Sequence, residues 1–155
     1  MSMFRLHLHS IENDADMSEN RFPLWGEIYV EANGCFFPSE NWYDAVSSIL
    51  DMWLPSIMDF MCSKDTECEL YFMDGPHKLR LEWVSANIIH ISMLSNDQKE
   101  AISTCCIYDF LKEIIMHVDM FCKFCRDNNL PFTSRREFSR IDANGNKLKR
   151  VLDKY

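Results

Sequence analysis

The chain has 155 residues, 47% of them hydrophobic and 13% aromatic, with only four glycines and five prolines; that suits one compact core and is too apolar for a disordered tail. Its net charge of −8 is unevenly spread: residues 1–133 carry nine Lys/Arg against 21 Asp/Glu, whereas residues 134–155 carry seven against three. A body this acidic repels phosphate backbones and attracts basic partners, and the lack of both an apolar stretch of about 18 residues and an export signal excludes a membrane span and points to a soluble, cytoplasmic protein.

Chain order gives strands first. In "FRLHLHSI", Phe4, Leu6 and Leu8 alternate with Arg5, His7 and His9, the period of a strand with one wet face. "ENDADMSEN" reads as an acidic loop. Asp14, Asp16, Ser18 and Asn20 there mimic the odd positions of a calcium-binding loop, but Glu19 stands where the turn glycine belongs and Trp25 where the closing acid belongs, which excludes an EF-hand. "LWGEIYVEANGCFF" then alternates around Ile28 and Val30, and Asn33-Gly34 signals a tight hairpin.

From "PSENWYDAVSSILDMWLPSIMDFMC" the period becomes helical, through Trp42, Val46, Ile49, Leu50, Trp53, Ile57 and Met61. Ser39 is the expected N-cap with Glu40 in the first turn, and Pro55 is expected to kink the helix or restart it. "ECELYFM", "KLRLEWV" and "NIIHISM" alternate again and are separated by turn residues, an antiparallel meander that "EAISTCCI" extends. A second helix covers about Tyr108 to Asn128, stopped by Asn128-Asn129 and Pro131.

That helix contains "FCKFC", whose C-x-x-C spacing suggests zinc or a dithiol. Leu111, Ile114, Ile115, Val118, Phe121, Cys122 and Cys125 form one apolar stripe, however, and the pair sits in the last turns, where the helix dipole opposes a thiolate. Core thiols are the expectation, with no metal and no cofactor. His7 and His9 share a strand face but have no nearby third ligand. No nucleophile elbow, phosphate loop or dinucleotide fingerprint occurs, so no catalytic residue is assigned.

Carboxylates interleaved with tyrosine remain. Glu27, Tyr29 and Glu31 share one expected strand face, and Glu67, Glu69 and Tyr71 another, with Arg80 as a cross-strand partner if that face is merely solvated. Aromatic anchors among acids suit a protein-binding surface that steers a basic target. These six residues are the candidate interface, followed by the loop acids Asp14, Asp16 and Glu19.

The segments "GEIYVEANGCFFPSENWYDAVSSILDMWL" and "ELYFMDGPHKLRLEW", a hairpin running into a Trp-rich helix and then a meander, resemble the immunity proteins of bacterial polymorphic toxin and contact-dependent growth inhibition systems. The resemblance covers residues 1–130 and implies no enzyme but a protein that binds and neutralises a cognate basic toxin domain. The expected fold is α+β: a mainly antiparallel sheet of about six or seven strands on two long helices. Residues 1–133 form the domain and 134–155 a basic tail, docked or loose. Two alternatives stand beside it: a metal-binding or enzymatic protein whose Cys/His site forms on folding, and a nucleic-acid-associated factor acting through Arg135, Arg136, Arg140, Lys147, Lys149 and Arg150.

Overall fold

The computed structural model describes residues 3–12, 22–63 and 65–155. It is an α+β fold with antiparallel pairing throughout, but the strands divide into two four-stranded sheets. In the first, β1 (Phe4–His9) pairs with β2 (Gly26–Ala32), which also pairs with β3 (Cys35–Phe37) and the two-residue β4 (Tyr43–Asp44). The second is a meander of β5 (Glu67–Tyr71), β6 (His77–Trp83), β7 (Ile88–Ser95) and β8 (Gln98–Cys106). Both sheets pack their apolar faces on α1 (Val46–Cys62) and α2 (Ile107–Asp127), and α3 (Arg136–Leu152) lies against both helices.

Asn33 and Gly34 both take positive φ, 54° and 72°, as the hairpin between β2 and β3 requires. The β7–β8 turn uses the same geometry without glycine: Asn96 and Asp97 sit at φ 54° and 60°, positions that Asn and Asp tolerate better than other side chains. The free edge of β1 is not left bare, because the Glu113 carboxylate of α2 accepts the Leu6 N–H at 3.0 Å.

Two expectations about helices are corrected. Ser39 does not cap α1. Residues 39–44 turn back so that Gly26 pairs with Asp44 and Glu27 with Tyr43, and α1 starts at Val46 with no side-chain cap on Ala45. Pro55 neither ends nor restarts the helix, which is assigned without interruption from Val46 to Cys62. The basic segment takes the docked of its two expected forms: it is α3, burying Phe138, Ile141, Gly145 and Leu148. Gly145 permits close approach to α2, since a Cβ there would lie 2.9 Å from Val118 Cγ1.

The two sheets and α1 meet at Asp44, which is fully buried. Its carboxylate accepts N–H bonds from Ala45 at 2.7 Å, Trp42 Nε1 at 3.0 Å, Met73 at 3.0 Å and Asp74 at 3.1 Å. An aromatic cluster packs beside it: Phe72 contacts Phe37 and Trp53 edge-on, and Trp53 Nε1 donates to the Tyr71 carbonyl at 2.7 Å. Asp44→Ala would leave four donors without their acceptor, and the expected loss is about 2–4 kcal/mol of unfolding free energy in urea titration. Gly145→Ala is expected to cost about 1–2 kcal/mol through the clash with the immobile Val118, despite alanine's better helix propensity, and Val118→Ala in the same chain should recover most of it.

Candidate partner-binding surface

Pairing in the second sheet fixes which side chains stand together. Leu79, Leu81, Ile89, Ile91 and Met93 are buried inward, so the alternate residues form the outer face. The register arranges them in three rows: Glu67, Glu82, His90 and Thr104; Glu69, Arg80, Ser92 and Ile102; Tyr71, Lys78, Leu94 and Lys99.

Glu69, at the head of the middle row, is saturated. It accepts the Tyr71 hydroxyl, Lys78 Nζ at 3.2 and 3.1 Å on its two oxygens, and Arg80 Nη2 at 3.0 Å. The tyrosine hydrogen bond foremost, with Arg80 and Lys78, holds its carboxyl down at about 2 instead of the ordinary 4.5. Lys78 also reaches Asp97 at 2.8 Å. The cross-strand Arg80 partner foreseen for a solvated face is therefore present, yet it serves Glu69 alone by hydrogen bonding.

Glu67 differs. It lies directly opposite Glu82, and neither carboxylate has an ion pair among the described residues. Arg80 feels both charges, but its guanidinium bonds only to Glu69. One row along, Arg80 Nε and Ser92 Oγ are buried with no hydrogen-bond partner among the described residues, although these two positions also face each other across β6 and β7.

The outer face of the first sheet is more enclosed. His7 Nε2 meets Glu31 at 2.8 Å and His9 Nδ1 meets Glu27 at 3.1 Å. Tyr29, expected as an exposed anchor, is only 5% exposed: its ring stacks on His7 at 4.6 Å and takes edge contacts from His9 and Phe36. Burial, reinforced by Glu40 and Glu27, pushes its hydroxyl pKa up. Of the other aromatics, Trp83 stacks on Phe60 at 4.8 Å, and Trp25 on Tyr43, which donates to Glu12. Tyr71, by contrast, is 45% exposed. Asp14, Asp16 and Glu19 lie outside the described residues.

Cys122 and Cys125 are buried on α2, and burial pushes both thiols up to about 12, against a reactive thiolate. No group of three or more His, Cys, Asp or Glu among the described residues is placed to hold a metal ion, and no described helix is long and apolar enough to cross a membrane.

Sequence patterns gave no warning of a cleft of about 390 Å³ between α1 and the start of α3, lined by Phe22, Met52, Asp51, Phe132, Arg135 and Glu137. Its charges are paired within the chain. Arg140 forks onto Asp51 at 2.9 and 2.7 Å, and Arg135 lies 4.0 Å over the Phe22 ring with Nε 3.3 Å from Glu137.

Compared with known proteins, the chain matches no family model, no curated protein and no solved structure.

Two outcomes test this geometry. Because the Glu69 pKa is depressed in the folded state, its contribution to stability is present above about 4.5 and is lost as pH falls toward about 2; Glu69→Gln is expected to flatten that part of the acid-unfolding curve. In native protein, exposed Cys35 and Cys62 should react rapidly with a thiol reagent, whereas Cys105, Cys122 and Cys125 should wait for unfolding, as read by mass spectrometry.

Proposed function

We propose that this chain is a protein-binding domain of the immunity type, which captures a cognate basic toxin domain and neutralises it by covering its surface. The observation that carries the reading is how charge is distributed over the fold. The basic segment packs on the helical side, and there it pairs with acids of α1 and α2: Arg140 with Asp51, and Lys149 with Asp119 at 2.8 Å, while Asp142 of α3 takes Arg126 of α2 at 2.8 Å. Two of the segment's cations are thereby neutralised by the helices they pack on. The outer face of the second sheet keeps two acids without an ion pair among the described residues, Glu67 and Glu82.

A pair of facing carboxylates with no ion pair among the described residues, beside an exposed tyrosine, attracts a cationic side chain of a basic protein and speeds its encounter. Binding alone accounts for this arrangement, and no group on the face needs to do chemistry. The same docking of α3 takes Arg135, Arg140 and Lys149 out of the six cations that a nucleic-acid partner would need, since each is engaged with a carboxylate.

The test is inhibition. A basic polypeptide that copurifies with the chain in near-equal amount should lose its toxic activity, measured on purified components, when the chain is added in stoichiometric excess. Activity that persists with the chain present in excess, or copurification of nucleic acid in place of a basic protein, would overturn the proposal.

A further inference from the structure

We infer that the β5–β6 side of the outer face, built on Glu67, Glu82 and Tyr71, is the seat for an arginine-bearing segment of a basic protein partner. The inference rests on the binding function proposed above and assigns it to one place in the fold.

Three observations converge there. The first is the opposed carboxylate pair. Residues directly opposite in an antiparallel ladder have Cβ atoms about 5 Å apart, and like charges so placed destabilise the sheet. Glu67 and Glu82 occupy such positions, with His90 opposite Glu82 on the far side; among the described residues Lys78 and Arg80 bond to Glu69 and Asp97, and Arg80 acts on the pair only through space. The chain thus concentrates its available cations on one carboxylate and leaves the adjacent pair for a charge from outside. A guanidinium, with its fork of donors, matches two neighbouring carboxylates better than an ammonium does.

The second observation is polar capacity left open in the next row. Ser92 is fully buried and its hydroxyl lacks a partner among the described residues, as does Arg80 Nε opposite it. Buried polar atoms without a partner are uncommon in folded proteins, and these two stand at facing positions beside the acid pair. The third is an anchor already set: the Tyr71 hydroxyl donates to Glu69 and the Lys78 ammonium lies 5.5 Å over its ring, so an exposed aromatic is held in place before any partner arrives.

The extent of the seat selects a polypeptide over a small cation. From Glu67 to Tyr71 is four residues along β5, about 13 Å at strand rise. Only a partner of that reach engages both the acid pair and the tyrosine. The first sheet presents a poorer seat, since Glu27 and Glu31 are each paired with histidine and Tyr29 is covered.

The decisive experiment uses a tri-arginine peptide as probe and isotope-labelled full-length protein, read by nuclear magnetic resonance, with the Glu67→Gln/Glu82→Gln double variant beside the Glu27→Gln/Glu31→Gln control. Peptide-induced shifts should centre on residues 67–71 and 78–83, and the first variant should weaken binding about tenfold while the control stays close to wild type. The double variant should also raise the thermal midpoint of the free protein by about 1–2 °C, because the repulsion is gone. Shifts centred elsewhere, or equal affinity in wild type and double variant, would overturn the site. If the copurifying basic partner binds the double variant as tightly as wild type, the seat is wrong and the binding function survives; if no basic partner binds wild type at all, the binding function itself fails.

Discussion

One buried carboxylate ties the molecule together. Asp44 ends the last strand of the first sheet, precedes the first turn of α1, and accepts the backbone N–H groups of Met73 and Asp74 where β5 runs out of the second sheet. Three elements that share no ladder hydrogen bond are fixed by one side chain whose oxygens are filled from four directions. A buried carboxylate is costly unless so satisfied. Asp44 stands two residues before α1 starts at Val46, where the first sheet ends and the residues that follow β5 come close. The cluster of Phe37, Phe72, Trp53 and Trp42 then fills the space beside it with apolar contact.

From that frame follows the separation of charge. With both sheets facing the helices on their apolar side, the basic C-terminal segment has an amphipathic helix to form and two helices to cover, and its cations meet the acids of α1 and α2. Among the described residues, no helix packs on the outer sheet faces in the same way. Their fates differ through local pairing: histidines on β1 occupy the acids of β2, whereas on the second sheet Glu69 gathers the cations and Glu67 and Glu82 are left facing each other. The proposed function and the proposed seat both grow from this asymmetry.

Elements whose evidence is local were legible in the sequence. Alternation in Phe4–His9, the Asn33-Gly34 hairpin, the meander and the stripe through Cys122 and Cys125 all depend on neighbours within a few residues. The start of α1 was not, because Ser39 and Glu40 imitate a cap while the true determinant, Asp44, acts through partners 29 and 30 residues away. The third helix was hidden by its own composition: Phe138, Ile141 and Leu148 are spaced for one helix face, but seven cations around them read as a basic tail, docked or loose. Of the candidate interface, the pairing of Glu69 with Arg80 could be anticipated from strand spacing. The burial of Tyr29 could not, since it depends on how His7 and His9 of β1 and Phe36 of β3 converge on it from both sides. The facing of Glu67 and Glu82 needed the register itself.

Hydrogen–deuterium exchange on the complex with the copurifying basic protein, compared with the free chain, addresses the central claim most directly. Slower exchange in residues 67–71 and 78–83, with α1, α2 and α3 unchanged, is the result this account predicts. Protection confined to the helical side, around Asp51, Arg135 and Arg140, would contradict it and move the interface to the cleft between α1 and α3.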